Sequence, residues 1–133
     1  VLISVKQKDK KEILAVAKYL QSVGFQILAT DDTHKFLSAN GVNSRFIKKV
    51  HEGRPNIVDA IHNKEINLII NTPIGKNSKY DDSYIRKAAI KYKIPYITTA
   101  AAAESVAEGI KAYLQKKKGI TVKSLQEYHK DIV

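Results

Sequence analysis

Phe25-Gln26-Ile27-Leu28-Ala29-Thr30-Asp31-Asp32-Thr33 is an apolar run ending in a short polar turn, and Thr33-His34-Lys35-Phe36-Leu37-Ser38-Ala39 after it reads as a helix. A strand that enters a helix through a turn with two threonines sets backbone N–H groups and two hydroxyls at a helix N-terminus. Such an end favours an anion, because its first N–H groups lack helical partners and the helix dipole adds to their field. A Thr or Asp cap with no ligand is the commoner use of such a turn. The neighbouring stretches have to decide between the two.

Working outward, Val1 to Val5 has the apolar, β-rich character of a buried strand. Ile13, Leu14, Val16, Ala17, Leu20 and Val23 then recur at helical spacing, which predicts a helix from Lys10 to Val23 that Gly24 stops. The helix opening at Thr33 ends near Asn40-Gly41. A short strand is expected within residues 42–50, on Phe46-Ile47 and Val50. His51 to Pro55 reads as a polar turn, with Pro55 beginning a helix to Asn63. Asn67-Leu68-Ile69-Ile70-Asn71 is a buried strand and Thr72 to Tyr80 a loop. Asp81 to Tyr92 reads as a helix with Tyr84, Ile85, Ala88 and Ala89 on one side. Ile94 to Thr98 is a fifth strand, Ala100 to Lys117 the longest helix, and Leu125 to Ile132 a further short one.

Strands and helices alternate, connections are short, and the strands are apolar almost throughout. That pattern predicts an α/β fold of three layers, a mostly parallel five-stranded sheet with helices on both faces. Ligands of such folds bind beyond the carboxyl ends of the strands. The segments Ser4–Lys10, Thr30–Thr33, Lys49–Arg54 and Asn71–Lys79 should therefore meet at one rim. They offer Lys10, Thr30, Thr33, Lys49, Arg54, Asn71, Thr72, Lys76 and Lys79, a set suited to phosphate and sugar hydroxyls.

Composition narrows the classes. The 133 residues predict a single domain over 1–133, with 44% apolar and 27% charged residues, ordinary for a soluble globular chain. No window approaches the roughly 20 apolar residues of a membrane span. The lack of cysteine excludes disulfides and thiolate metal sites and fits a reducing, cytoplasmic setting. Val1 to Val5 is too short for a signal peptide and lacks a basic leader. There is no Met, not even at the start, so the chain is expected to be a piece of a longer polypeptide. A net charge of +10 points to an anionic partner. Nucleic acid is disfavoured: the basic residues are scattered, Lys outnumbers Arg 20 to 3, and aromatics do not interleave with them. Lys116-Lys117-Lys118, the only run, sits at an expected helix end, where the dipole favours it. His34, His62 and His129 are too far apart to suggest a metal site. His51 is as readily a turn histidine as an anion contact, and Tyr84 and Tyr92 should pack rather than bind.

The run Lys49-Val50-His51-Glu52-Gly53-Arg54-Pro55-Asn56-Ile57-Val58-Asp59, with Ile69-Ile70-Asn71-Thr72 and Tyr92-Lys93-Ile94-Pro95-Tyr96-Ile97-Thr98-Thr99, resembles the methylglyoxal synthase-like family. Within it, the likeness is to the C-terminal allosteric domain of carbamoyl-phosphate synthase large chains, and it extends over essentially the whole chain. The resemblance implies a non-catalytic domain that binds a nucleoside monophosphate, of the uridine or inosine type, and regulates its parent. The parent would be a ligase making carbamoyl phosphate from bicarbonate, ATP and glutamine-derived ammonia, for pyrimidine or arginine synthesis. Its partners would be the catalytic domains of the same chain and a glutamine amidotransferase small subunit. ATP and Mg would belong to the parent, with no cofactor and no metal in this domain.

By that resemblance Lys10, Thr30, Thr33 and Lys49 would hold the phosphate, and Asn71, Thr72 and Ser4 would line the ribose or base region. Tyr96 and Thr98 match positions at an ornithine-binding seam, with Ile97 standing where an acid is frequent. Pro73 stands where a second Thr often contacts the nucleotide. Asp31 and Asp32 occupy a turn where Gly is frequent, and they would repel phosphate unless they point outward. The same family includes methylglyoxal synthase, a lyase that needs a carboxylate base beside the phosphate cradle. Pro55 replaces the acid of the enzyme's Gly-Gly-Asp, and Tyr80-Asp81-Asp82-Ser83 stands at its His-Asp-Pro-Asp. Asp81 and Asp82 are more simply first-turn acids of a helix, so the resemblance to the lyase lacks its proton-transfer pair.

Overall fold

The computed structural model describes residues 1–72 and 78–118. The sheet strands among them are β1 (Leu2–Ser4), β2 (Ile27–Ala29), β3 (Ser44–Phe46), β4 (Ile69–Asn71) and β5 (Tyr96–Ile97). They form one sheet in the order β3-β2-β1-β4-β5, with every neighbouring pair parallel. The helices are α1 (Lys10–Ser22), α2 (Asp31–Ala39), α3 (Ile57–His62), α4 (Ser78–Lys91) and α5 (Ala100–Lys118). This is the expected α/β architecture. The chain adds strands in one direction from β1 to β3 and then returns to lay β4 on the other side of β1. The strand order reverses between β1 and β4, which is where such sheets open a crevice.

Alternation along the strands divides the core in two. Ile3, Ala29 and Ile70 face α1 and α5, with Leu37 of α2 in the same cluster. Leu2, Leu28 and Ile69 face α3 and α4. All six strand residues are buried, as a sheet covered on both faces demands. Ile13, Val16, Ala17 and Leu20 make the buried stripe of α1, at the spacing the sequence predicts.

The first four helices end the same way. Phe25 N–H donates to Leu20 C=O and Gly24 N–H to Gln21 C=O, the paired bonds of a Schellman motif, with Gly24 at φ +101°. Val42 and Gly41 repeat the pair on Leu37 and Ser38. Glu65 and Lys64 repeat it on Ala60 and Ile61, as do Ile94 and Lys93 on Ala89 and Ile90. Lys64 and Lys93 hold positive φ (61° and 56°) with no glycine to ease it.

Four boundaries differ from expectation. The second helix opens at Asp31, so Thr33 lies in its first turn rather than at its start. Val50 belongs to a 3-10 turn, Val50–Glu52, rather than to β3. Pro55 precedes α3 instead of beginning it, because Asn56 takes the N-cap. The fourth helix begins at Ser78, one turn earlier than the polar run Ser78-Lys79-Tyr80 suggests. Tyr84 lies on the exposed side of α4, while Ile85, Ala88 and Ala89 are buried. Residues 73–77 and the tail expected to be helical at Leu125–Ile132 lie outside the described residues, Pro73 and Lys76 among them.

The Gly53-Arg54-Pro55-Asn56 stretch is a structural anchor. Gly53 sits at φ +114°, ψ −162°, a conformation essentially reserved for glycine. Asn56 Oδ1 accepts from Val58 N–H (2.9 Å), its Nδ2 donates to Gly53 C=O (2.9 Å), and Asp59 Oδ2 accepts from Asn56 N–H (2.8 Å). Replacing Asn56 by Ala removes the cap and is expected to lower unfolding free energy by about 0.5–2 kcal/mol. Chemical denaturation checks this, with Asn56→Ser, which keeps a capping oxygen, losing less.

Candidate functional site

Sheet geometry gathers the polar residues of the strand ends. Along β1, β2 and β4, Ser4, Thr30 and Asn71 follow the positions that alternate toward α3 and α4. Ser4 and Asn71 are register partners across β1 and β4. Thr30 Oγ1 donates to Ser4 Oγ at 2.8 Å. Thr30, Ser4 and Asn71 thus form one buried polar row across three strand ends at the switch point.

Two further threonines tie the loops behind that row together. Thr33 Oγ1 accepts from Val5 N–H at 3.1 Å and approaches Val5 C=O at 3.4 Å, fastening the first turn of α2 to the end of β1. Thr72 Oγ1 accepts from Lys6 N–H at 2.9 Å, and Thr72 N–H donates to Ser4 C=O at 3.0 Å. The loops after β1, β2 and β4 are therefore held by direct bonds. Among the described residues no fully buried side-chain polar atom lacks a partner.

Thr30 is the N-cap of α2, yet its hydroxyl bonds Ser4 and makes no bond to the helix. The first helical bond runs from His34 N–H to Thr30 C=O, which leaves the N–H groups of Asp31, Asp32 and Thr33 without helical acceptors. The two acids of this turn point outward. Asp31 pairs with Lys35 at 3.5 Å with half its side chain in water, and Asp32 is exposed. The repulsion their sequence position suggests is thereby relieved.

Lys10 is the first residue of α1 and is 8% exposed. Its ammonium donates to the neutral amide of Gln7 (3.0 Å) from the 3-10 turn Gln7–Asp9. It enters none of the ion pairs found among the described residues. The stem of Lys10 is buried, and its ammonium meets the neutral amide of the exposed Gln7 with no carboxylate beside it among the described residues. Lys49 stands half-buried after β3, at the same sheet end, as N-cap of the Val50–Glu52 turn. Its N–H donates to Glu52 Oε1 (2.7 Å), and no bond joins it to the polar row.

Arg54, one of the rim cations proposed from sequence, is turned away. Its guanidinium grips Asp59 (Nη2–Oδ1 2.6 Å, Nε–Oδ1 3.2 Å), raising the arginine above its ordinary value and holding the carboxyl below the usual range. The pair lies at the surface, with 81% of the Arg54 side chain in water. Thr98 is exposed just beyond β5. Ile97, where the family resemblance leads one to expect an acid, is buried in the core facing α1 and α5.

Tyr96 joins the row instead of standing apart from it. Asn71 Nδ2 donates both to Tyr96 Oη and to Asp82 Oδ1, each at 2.8 Å. Burial first, with the nearby Asp82 charge, pushes the Tyr96 phenol up, against the pull of Asn71 and Arg86. Sequence reasoning missed Asp82 because a helix beginning at Asp81 would put it in the first turn. With α4 starting at Ser78, it falls in the second turn. Gln7 carried no signal either.

A family model described as "MGS-like domain" matches residues 12–98. A carbamoyl phosphate synthase large chain from Methanosarcina barkeri is 44% identical over 132 residues, covering 99% of this chain and 33% of that protein. A carbamoyl phosphate synthase large chain, C-terminal section, from Aquifex aeolicus is 49% identical over 130 residues, 96% of this chain and 24% of its own length. This chain therefore spans a third or less of these relatives. Among solved structures, methylglyoxal synthase from Elizabethkingia anophelis NUHP1 superposes with a TM-score of 0.61 over 80% of this chain and 74% of that one. At 15% identity the likeness speaks for the fold alone.

Proposed function

The chain belongs to the MGS-like domain family, and from that premise we propose that it is the effector-binding regulatory domain of a carbamoyl-phosphate synthase large chain. Its ligand is a nucleoside monophosphate of the uridine or inosine type. Lys10, Lys49 and the open N–H groups of α2 take the phosphate, with Thr30 and Thr33 shaping the cradle. Ser4, Asn71 and Thr72 border the sugar and base. The observation that carries this reading is Lys10, a lysine with a buried stem whose ammonium is bonded to a neutral amide, at the same sheet end as a helix without a side-chain cap. A phosphate monoester supplies two negative charges and several acceptors to such a place.

The parent would be a cytoplasmic ligase forming carbamoyl phosphate from bicarbonate, ATP and glutamine-derived ammonia, serving pyrimidine or arginine synthesis. Its ATP and Mg would bind elsewhere in the parent chain. Regulation requires that the effector bind differently in two states of that enzyme. The partners are then the catalytic domains of the same chain and an amidotransferase subunit, contacted in part through the Tyr96–Thr98 seam. The domain itself catalyses nothing in this reading. Methylglyoxal formation from dihydroxyacetone phosphate would favour the lyase alternative. That chemistry needs a free base at the cradle, whereas among the described residues the carboxylate bonded to the polar row is Asp82, which accepts from Asn71.

Calorimetric titration with uridine and inosine monophosphates tests the proposal. Saturable one-site binding of at least one of them is expected, displaced by inorganic phosphate. Lys49→Ala should weaken it by a smaller factor than loss of Lys10, since Lys49 is the more exposed of the two. No heat and no thermal shift with either nucleotide would overturn the assignment.

A further inference from the structure

The last helix outruns the core it covers. The buried residues of α5 among those described, Ala100, Ala103 and Ala107, all lie in its first half. Val106, Ile110, Tyr113 and Leu114 carry the apolar stripe further, and with Val23 and Phe25 from the turn after α1 they line a groove of about 560 Å³. Tyr113 keeps 40% of its surface in water. Gly109 lies in the same groove. A glycine inside a helix is unfavourable relative to alanine. Yet a Cβ built on Gly109 would meet nothing within 4 Å. The described residues give no steric reason for a glycine there, whereas a segment lying close against the helix does.

The sequence that follows α5 supplies a segment of the right pattern. Residues 119–133 lie outside the described residues, and their sequence predicts a short helix. Ser124 and Glu127 have the spacing of a capping box, and Leu125, Tyr128 and Ile132 recur at helical spacing after it. That stripe would span about 10 Å of helix, against about 12 Å from Val106 to Leu114. The connecting residues 119–124 reach about 20 Å when extended, enough to turn back along α5. Gly119, directly after the helix, is the residue type that permits such a reversal. Glu127 and Asp131 would share one flank of the stripe, and the last turns of α5 carry Lys116 and Lys117.

We propose that residues 125–132 fold back as a helix onto this groove, setting Leu125, Tyr128 and Ile132 against Val106, Ile110 and Leu114, with the closest approach over Gly109. The groove lies toward the strand starts, the sheet end opposite the cradle, so this docking is independent of any ligand there.

The chain has no cysteine, so a nitroxide attached through Lys130→Cys, on the side away from the stripe, marks the tail alone. In the full 133-residue chain it should broaden the methyl signals of Val23, Val106, Ile110 and Leu114 most strongly, and Leu125→Ser should abolish the effect. Nitroxide-bearing chains mixed with isotope-labelled chains that carry no nitroxide should give no broadening. Gly109→Ala supplies a second readout. With the tail undocked by Leu125→Ser, it should raise the melting temperature by about 2–6 °C, as helix propensity demands. In the otherwise unaltered chain it should give no rise, because the added methyl meets the tail. Broadening that spares the groove or persists in Leu125→Ser overturns the inference. So does broadening in the mixed sample, which would make a second copy the occupant, and so does an equal rise with Gly109→Ala in both backgrounds.

Discussion

Lys10→Met is expected to weaken nucleotide and phosphate binding by roughly 10- to 150-fold while leaving the protein at least as stable as before. The first part follows from removing one charge-assisted contact, worth about 1.5–3 kcal/mol. The second follows from what Lys10 costs when the site is empty. The residue is 8% exposed and its ammonium has a neutral partner, Gln7. Burying a cation against a neutral amide is unfavourable, and an apolar chain of similar shape removes that penalty. A residue kept only for structure would show the reverse, a loss of stability with no specific loss of ligand. Titration calorimetry and denaturant unfolding on the same variant separate the two. Lys10→Gln is the useful control, because it keeps a hydrogen bond to Gln7 within reach and still lacks the charge.

Thr33→Val should cost about 1–3 kcal/mol of stability. Valine matches threonine in shape, so the packing survives and only the hydroxyl goes. Thr33 Oγ1 is the acceptor for Val5 N–H, and both residues are buried. The substitution therefore leaves a donor without a partner away from water, and that desolvation is the main loss. Binding should weaken as well, since the same bond fastens the first turn of α2 to the loop that leads to Lys10. Thr33→Ser keeps the hydroxyl and should lose less on both counts. Thermal and chemical unfolding of the two variants, measured without ligand and then with excess inorganic phosphate, distinguish the structural part from the binding part.

The architecture was legible because its strands are short apolar runs and its first two helices end on glycines. Gly24 and Gly41 hold positive φ where the sequence placed helix ends. Lys64 and Lys93 close two more helices in the same geometry and give no compositional sign of it. The start of α4 was unreadable for a related reason: Ser, Lys and Tyr serve a first turn and a loop equally well. Of the rim residues, Thr30 and Asn71 follow from the rule that ligands meet the carboxyl ends of the strands, and Ser4 from the family resemblance. Their partners do not. Whether Arg54 faces a ligand or Asp59, and whether Asp82 reaches Asn71, depends on side-chain directions that one turn of helix reverses. Asp31 and Asp32 illustrate the same limit, since two acids in a turn repel or ignore an anion according to where they point.

Backbone amide NMR during titration with uridine monophosphate tests the central claim, that loops from separate strands grip one phosphoryl group at the switch point, most directly. The amides of Asp31, Asp32 and Thr33, together with those around Lys10 and Asn71, should shift with a single binding constant, and inorganic phosphate should move those of the cradle, Asp31 to Thr33 and around Lys10, without those around Asn71. Shifts confined to one loop, or scattered over the lysine-rich surface with no saturation, would contradict it.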